Sequence, residues 1–303
     1  MAEKAHTVGN FKREEAAYRK ALEIVESGEN SQNKYLPTIK CGIASACHEQ
    51  GKFKEAHRLY LEALSCSETI SGFESLDTAR ILEKLALNEE VQGNYQEAEA
   101  LFQQAINIIE KIEGAETPDL APLICDLANL YRIRGNYKDA SILAERALLL
   151  QSDKFGNNSG EAAICLHLIA QIKQDEKKYE EAEPHARLAL KSFEENLSTN
   201  HPYIAKGCTN LASILENRGK ISEAEDLYNR SLNINRKILG ENHPDTGIGY
   251  YHLAELYEAK KEYSEAEKYY KKAIEILEGA NNKVVLSAKE KLIELENRTK
   301  EPG

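Results

Sequence analysis

The chain lacks the features that would set it in a membrane, on a nucleic acid or around a reaction centre. No apolar run approaches the ~20 residues needed to cross a bilayer. The opening stretch, MAEKAHTVGNFKREE, has no apolar segment of the kind that leads a secreted protein. Basic residues do not predominate: 39 Lys and Arg against 50 Asp and Glu leave a net charge of −11, which argues against nucleic acid or anionic lipid as partner. The six cysteines (Cys41, Cys47, Cys66, Cys125, Cys165, Cys208) form no CxxC pair and no metal-ligand spacing, so they read as small apolar fillers of helix faces. HExxH, a nucleophile elbow, a phosphate loop and a dinucleotide fingerprint are all absent. The eight histidines (His6, His48, His57, His167, His185, His201, His243, His252) fall at unrelated phases. His48 adjoins Cys47, but neighbours in a helix do not face each other. These absences predict a cytoplasmic protein with no enzyme activity, no metal and no cofactor.

What is present is a period. Gly9, Gly51, Gly93, Gly135, Lys177, Gly219 and Lys261 stand 42 residues apart. An aromatic or Ile221 follows two residues later. Ala56, Ala98, Ala140, Ala182, Ala224 and Ala266 come five residues after their openers, with Glu14 the exception. Ala21, Ala63, Ala105, Ala147, Ala189, Ser231 and Ala273 come after twelve. Upstream, Ala44, Ala86, Ala128, Ala170, Ala212 and Ala254 lie seven residues before the next opener, each preceded by Leu or Ile. A fixed period in this range is the signature of a solenoid. Each opener predicts a turn between two helices, with glycine suited to a left-handed conformation. The alanines mark where paired helices approach closely, and the aromatics fill the space beside them.

The pattern predicts an incomplete unit over 1–28, with half a helix in residues 1–8. Full units follow over about 35–68, 75–112, 119–153, 160–197, 202–239 and 245–280, and a polar capping helix over about 283–299, all within one domain spanning 1–303. The links SETISGFES, GAETPD, GNNSGE, STNHPY and GENHPD are polar. Asp119 and Asp245, after Pro118 and Pro244, are expected to cap helices. Pro184 is expected to bend its helix slightly. His201 and His243 are expected to stabilise the link turns.

The stretches DLANLYRIRGNYKDASILAERAL (126–148) and TNLASILENRGKISEAEDLYNRSLNINRKILGENHPDT (209–246) carry a resemblance to tetratricopeptide repeats. The 42-residue period with its HP links is similar to the kinesin-light-chain-like subclass. The resemblance covers nearly the whole chain. It implies an all-α fold, a right-handed superhelical solenoid of antiparallel helix pairs, and a concave groove that binds a protein or peptide. It also implies that groove positions lie ten, nine, six and three residues before each opener.

Those positions hold a mixed lining. Asn129, Gln171 and Asn210 can hydrogen-bond an extended backbone, since an amide both donates and accepts. Lys84 and Arg132, with Arg80 and Lys206 projecting one turn earlier, can meet acidic ligand side chains. Tyr251 and His252 offer an amphipathic anchor. The basic clamp that holds a terminal carboxylate in chaperone-docking relatives is absent, because Glu83 with Leu87 and Cys125 with Asn129 stand in its places. The expected function is a non-catalytic adaptor or scaffold. The alternative is a structural spacer that forms homo-oligomers through its incomplete N-terminal unit.

Overall fold

The computed structural model describes residues 11–27, 34–278 and 284–300, with side chains as far as 295 in the last stretch. The predicted half-helix over 1–8, residues 279–280 of the last unit and residue 283 of the cap lie outside the described residues. Among the described residues there is no strand, and the α-helices run in successive pairs. In order they are α1 (Phe11–Glu26), α2 (Leu36–Glu49), α3 (Phe53–Ile70), α4 (Leu76–Val91), α5 (Tyr95–Glu113), α6 (Ala121–Ile133), α7 (Tyr137–Phe155), α8 (Gly160–Asp175), α9 (Tyr179–Asn196), α10 (Pro202–Asn217), α11 (Ile221–Ile238), α12 (Pro244–Ala259), α13 (Tyr263–Glu278) and α14 (Val284–Lys300). They gather into two compact units, Met1–Lys154 and Phe155–Gly303.

Each opener from Gly51 onward forms the turn predicted for it, and Gly9 lies outside the described residues. The backbone is left-handed at Gly51, Gly93, Gly135 and Gly219, and also at Lys177 (φ 61°) and Lys261 (φ 63°). The amide after each opener returns to a carbonyl five residues back, as in Lys52 N to Cys47 O (2.9 Å) and Lys220 N to Leu215 O (2.9 Å). That bond satisfies a carbonyl the helix end would otherwise orphan.

The alanine register explains how helices pair. Ala44, Ala86, Ala128, Ala170, Ala212 and Ala254 are all 0 % exposed, as are Ala56, Ala98, Ala140, Ala182, Ala224 and Ala266. Tyr60, Phe102, Tyr228 and Tyr270 are buried beside these contacts, each contributing on the order of 1.5–3 kcal/mol through burial. Pro184 does not interrupt α9, which runs unbroken from Tyr179 to Asn196.

Two expectations about helix ends need correction. Asp119 and Asp245 are not caps. Thr117 Oγ1 accepts from Asp119 N, and His243 Nδ1 accepts from Asp245 N (3.1 Å). The reason is the proline between them, which takes the first helical position and so puts the cap two residues upstream of the aspartate. His201 does the same with Tyr203 N (3.2 Å), so both HP histidines stabilise their links as expected. The last helix covers the apolar edge through Ala288 and Leu295, but it is not polar outside: Leu286 is 68 % and Ile293 59 % exposed.

Candidate functional site

The first helices of successive repeats stand side by side and form one face in each unit. In the first unit this face comes from α2, α4 and α6. Asn129 Nδ2 on α6 reaches Glu90 Oε1 on α4 (3.4 Å), and Arg132 Nε and Nη2 donate to Asn129 Oδ1 (3.2 and 3.0 Å). The structure thus brings Asn129 and Arg132 together and engages both ends of the amide. Lys84 pairs with its neighbour Glu83 (2.7 Å), and Arg80, at the exposed start of α4, pairs with Asp77 (3.3 Å). Burial pushes the Asp126 carboxyl up to about 7; Glu83 and Glu90 reinforce the shift and Lys84 opposes it. Burial likewise pushes the Cys41 thiol up to about 11, a poor setting for a nucleophile. Gly42, expected to line the groove, instead lies under the Tyr18 ring of α1, where an added Cβ would come within 2.6 Å.

In the second unit the face comes from α8, α10, α12 and α14. Asn210 is 8 % exposed; its Nδ2 donates to Gln174 Oε1 (2.7 Å), and Gln174 Nε2 donates onward to Ser213 Oγ (2.8 Å). This relay fixes the amide orientation and leaves Asn210 Oδ1 with no hydrogen-bond partner. Gln171 is half-buried on α8, three residues before Gln174. Tyr251 Oη donates to Glu255 Oε1 (2.9 Å) and meets Ser287 Oγ of α14 (2.9 Å). His252 stacks on Tyr228 with centroids 5.5 Å apart and planes 10° apart. Lys206 is exposed, one turn before Asn210, with its ammonium 5.7 Å from the Tyr203 ring.

The tyrosines nine residues after Gly51, Gly219 and Lys261 carry no signal in the sequence that they join this face. Their rings are core, but their hydroxyls emerge among its polar groups: Tyr60 meets Ser45 (3.0 Å), Tyr228 donates to Glu216 (2.9 Å) and Tyr270 to Glu258 (2.9 Å). Elsewhere, Glu15, Cys47 and Glu55 bring their ligand atoms within 4.8 Å of one another. Glu15 is already held by Arg19, Lys52 and Gln50, and Glu55 by Arg19, so this cluster is an ion-pair network.

This geometry of paired helices, shared turns and a first-helix face in each unit defines a class of repeat protein. The tetratricopeptide repeat profile matches residues 41–77, 77–151, 123–195 and 203–279. The chain belongs to the tetratricopeptide repeat family. No curated protein matches it. Among solved structures it is similar to BtubC (BKLC) from P. vanneervenii, at 19 % identity, covering 90 % of this chain and 92 % of that one, with a TM-score of 0.57. It is also similar to a Podosopora anserina putative kinesin light chain with nearly identical TPR-like repeats (20 % identity, 69 % and 98 % coverage, TM-score 0.55). A third is a Rap protein complexed with Competence and Sporulation Factor (18 % identity, 91 % and 74 % coverage, TM-score 0.70). These likenesses agree in fold, and the kinesin-light-chain-like subclass is consistent with them. The tetratricopeptide fold supports a protein-interaction scaffold. Among the described residues no helix is long and apolar enough to cross a membrane.

Proposed function

We propose that this chain is a non-catalytic adaptor that holds an extended segment of a partner protein against its first-helix faces. The observation that carries the reading is Asn210. A buried amide whose oxygen lacks a donor costs free energy, on the order of 1–3 kcal/mol, until something supplies one. An extended peptide offers backbone N–H groups at regular intervals, and Asn210 shares its face with the hydroxyl of Ser213 and the exposed Lys206. The Rap structure, whose title names a bound factor, supports the same use of the fold.

The test is affinity capture from the native extract by wild-type protein and by Asn129→Ala/Asn210→Ala, with mass spectrometry. The double variant is expected to retain its helicity and lose the captured partner. Undiminished capture would count against this placement. Because Asn129 is engaged at both ends, Asn210→Ala alone is expected to account for most of the loss.

A further inference from the structure

The charge of the second unit's face runs opposite to the expectation of an acidic ligand. At the positions ten, nine, six and three residues before Lys177, Gly219 and Lys261 there is no lysine or arginine, Lys206 lying one turn earlier, whereas Glu216, Glu255 and Glu258 are all present. Glu258 is answered by Lys291 of α14 at 3.8 Å. Among the described residues Glu216 and Glu255 have no such answer. Glu216 accepts the Tyr228 hydroxyl, and Glu255 meets the Tyr251 hydroxyl and the His252 ring at 3.6 Å.

Tyrosine and histidine side chains adjoin the two carboxylates. Tyr228 stacks on His252, and Tyr251 stands edge-on to His252 (5.9 Å, 64°) and to Tyr270 (5.9 Å, 62°). Carboxylates beside the half-buried Tyr251 and His252 rings are the chemistry that receives a guanidinium or ammonium, through charge-assisted hydrogen bonds and the ring quadrupole. Asn210, six residues before Glu216 on α10, adds an independent sign. It is more than nine-tenths buried, and its free atom is an acceptor, so the missing group must be a donor. Burial together with the nearby Glu255 raises the Glu216 carboxyl above its ordinary range, despite the Tyr228 hydrogen bond and His252. A carboxylate so placed gains most from an incoming cation.

We infer that Glu216 and Glu255, beside Tyr251 and His252, receive an arginine or lysine side chain of the bound segment. The inference rests on the proposed peptide binding and names the ligand's charge. The partner is thus a basic peptide segment, matching the chain's net charge of −11.

The experiment pans a random-peptide phage library on the full chain as wild type, as Glu216→Gln/Glu255→Gln and as Asn210→Ala, with helicity checked by circular dichroism. Wild type is expected to select peptides with Arg or Lys at one fixed place. Resynthesised with citrulline there, such a peptide should bind about tenfold more weakly. The Gln variant should lose affinity similarly and no longer distinguish arginine from citrulline, a coupling that a purely structural role for the carboxylates would not produce. If wild type selects peptides without a basic preference, or citrulline changes nothing, the cation site is overturned; the broader reading then survives if Asn210→Ala weakens those same peptides. If no peptide is enriched, or those enriched ignore Asn210→Ala, both fail.

Discussion

His57 Nδ1 sits 2.7 Å from Glu89 Oε1, and this pair reverses a contact that recurs between repeats. Six residues after an opener there is usually a glutamate, which accepts from the next repeat's first helix. Glu99 takes Tyr131 and Arg134, Glu225 takes Tyr257 (2.5 Å) and Lys260 (2.9 Å), and Glu15 takes Gln50 (2.7 Å). In the second repeat that place holds His57, and the carboxylate has moved across to Glu89, where two other repeats carry Tyr131 and Tyr257. Glu89 is 3 % exposed and also receives Asn88, Gln92 and Asn94.

The swap makes a charge-dependent prediction. His57→Ala should cost about 1–3 kcal/mol by removing a donor from a buried carboxylate. His57→Glu should cost more, since it faces two carboxylates together. His57→Glu/Glu89→Tyr should recover most of that loss by restoring the regular pattern. Urea denaturation orders the three variants, and a milder effect for His57→Glu than for His57→Ala would refute the swap.

The two lysine openers store backbone strain. A left-handed conformation costs a residue with a Cβ about 1–2 kcal/mol, and an added Cβ meets nothing at the equivalent glycines. Lys177→Gly and Lys261→Gly should therefore each stabilise by up to about 1 kcal/mol, after the extra chain entropy glycine loses on folding. Thermal unfolding reads this directly; a lower Tm in both variants would contradict it.

The HP links depend on an imidazole acceptor. His243→Ala should cost about 1 kcal/mol, and His243→Asn should restore most of it, because asparagine also accepts at a helix N-cap. His201→Ala and His201→Asn should behave alike. Equal losses for Ala and Asn in denaturant titrations would place the effect elsewhere.

How far the sequence foretells this structure depends on the kind of contact. Steric rules repeat: Ala212 and Ala224 sit where their spacing requires, and the openers turn as glycine predicts, because close approach and left-handed backbone each tolerate few residue types. Glycines at 72, 114, 156 and 240 also adopt positive φ, a second 42-residue series in the links that the polar composition masked. Polar partnerships were less legible. Lys84 and Arg132 looked available for a ligand but are held by Glu83 and Asn129, since long side chains choose partners by geometry that spacing does not encode. His57 looked stray because its meaning lies in Glu89, on the following repeat. Asn210 was placed on its face by register, yet its unmatched oxygen emerges only from the Gln174 relay.

Two carboxyls should give opposite pH responses. Burial works against ionised Glu183, but hydrogen bonds from Lys220, Arg187 and Arg218 outweigh it and hold the group at about 2. A carboxyl held below its ordinary value contributes stability that is present above that value and lost as pH falls through the folded one. Glu183→Gln should therefore destabilise at neutral pH and matter little near pH 2. Asp126, at about 7 when folded, binds its proton more tightly in the folded state, so its contribution falls as pH rises from about 4 to about 7. Asp126→Asn should raise Tm at pH 8 and leave it nearly unchanged near pH 4. Melting curves across pH separate the two, and matching profiles would contradict both assignments.

The most direct measurement is site-specific photo-crosslinking. A photoreactive phenylalanine analogue replaces Gln171 or Ser213 on the first-helix face, or Asn229 on the second helix α11, and each protein is irradiated with a library-selected peptide. The account predicts crosslinks from 171 and 213 that excess unlabelled peptide abolishes, and none from 229. Crosslinking from 229 with silence at 171 and 213 would contradict it.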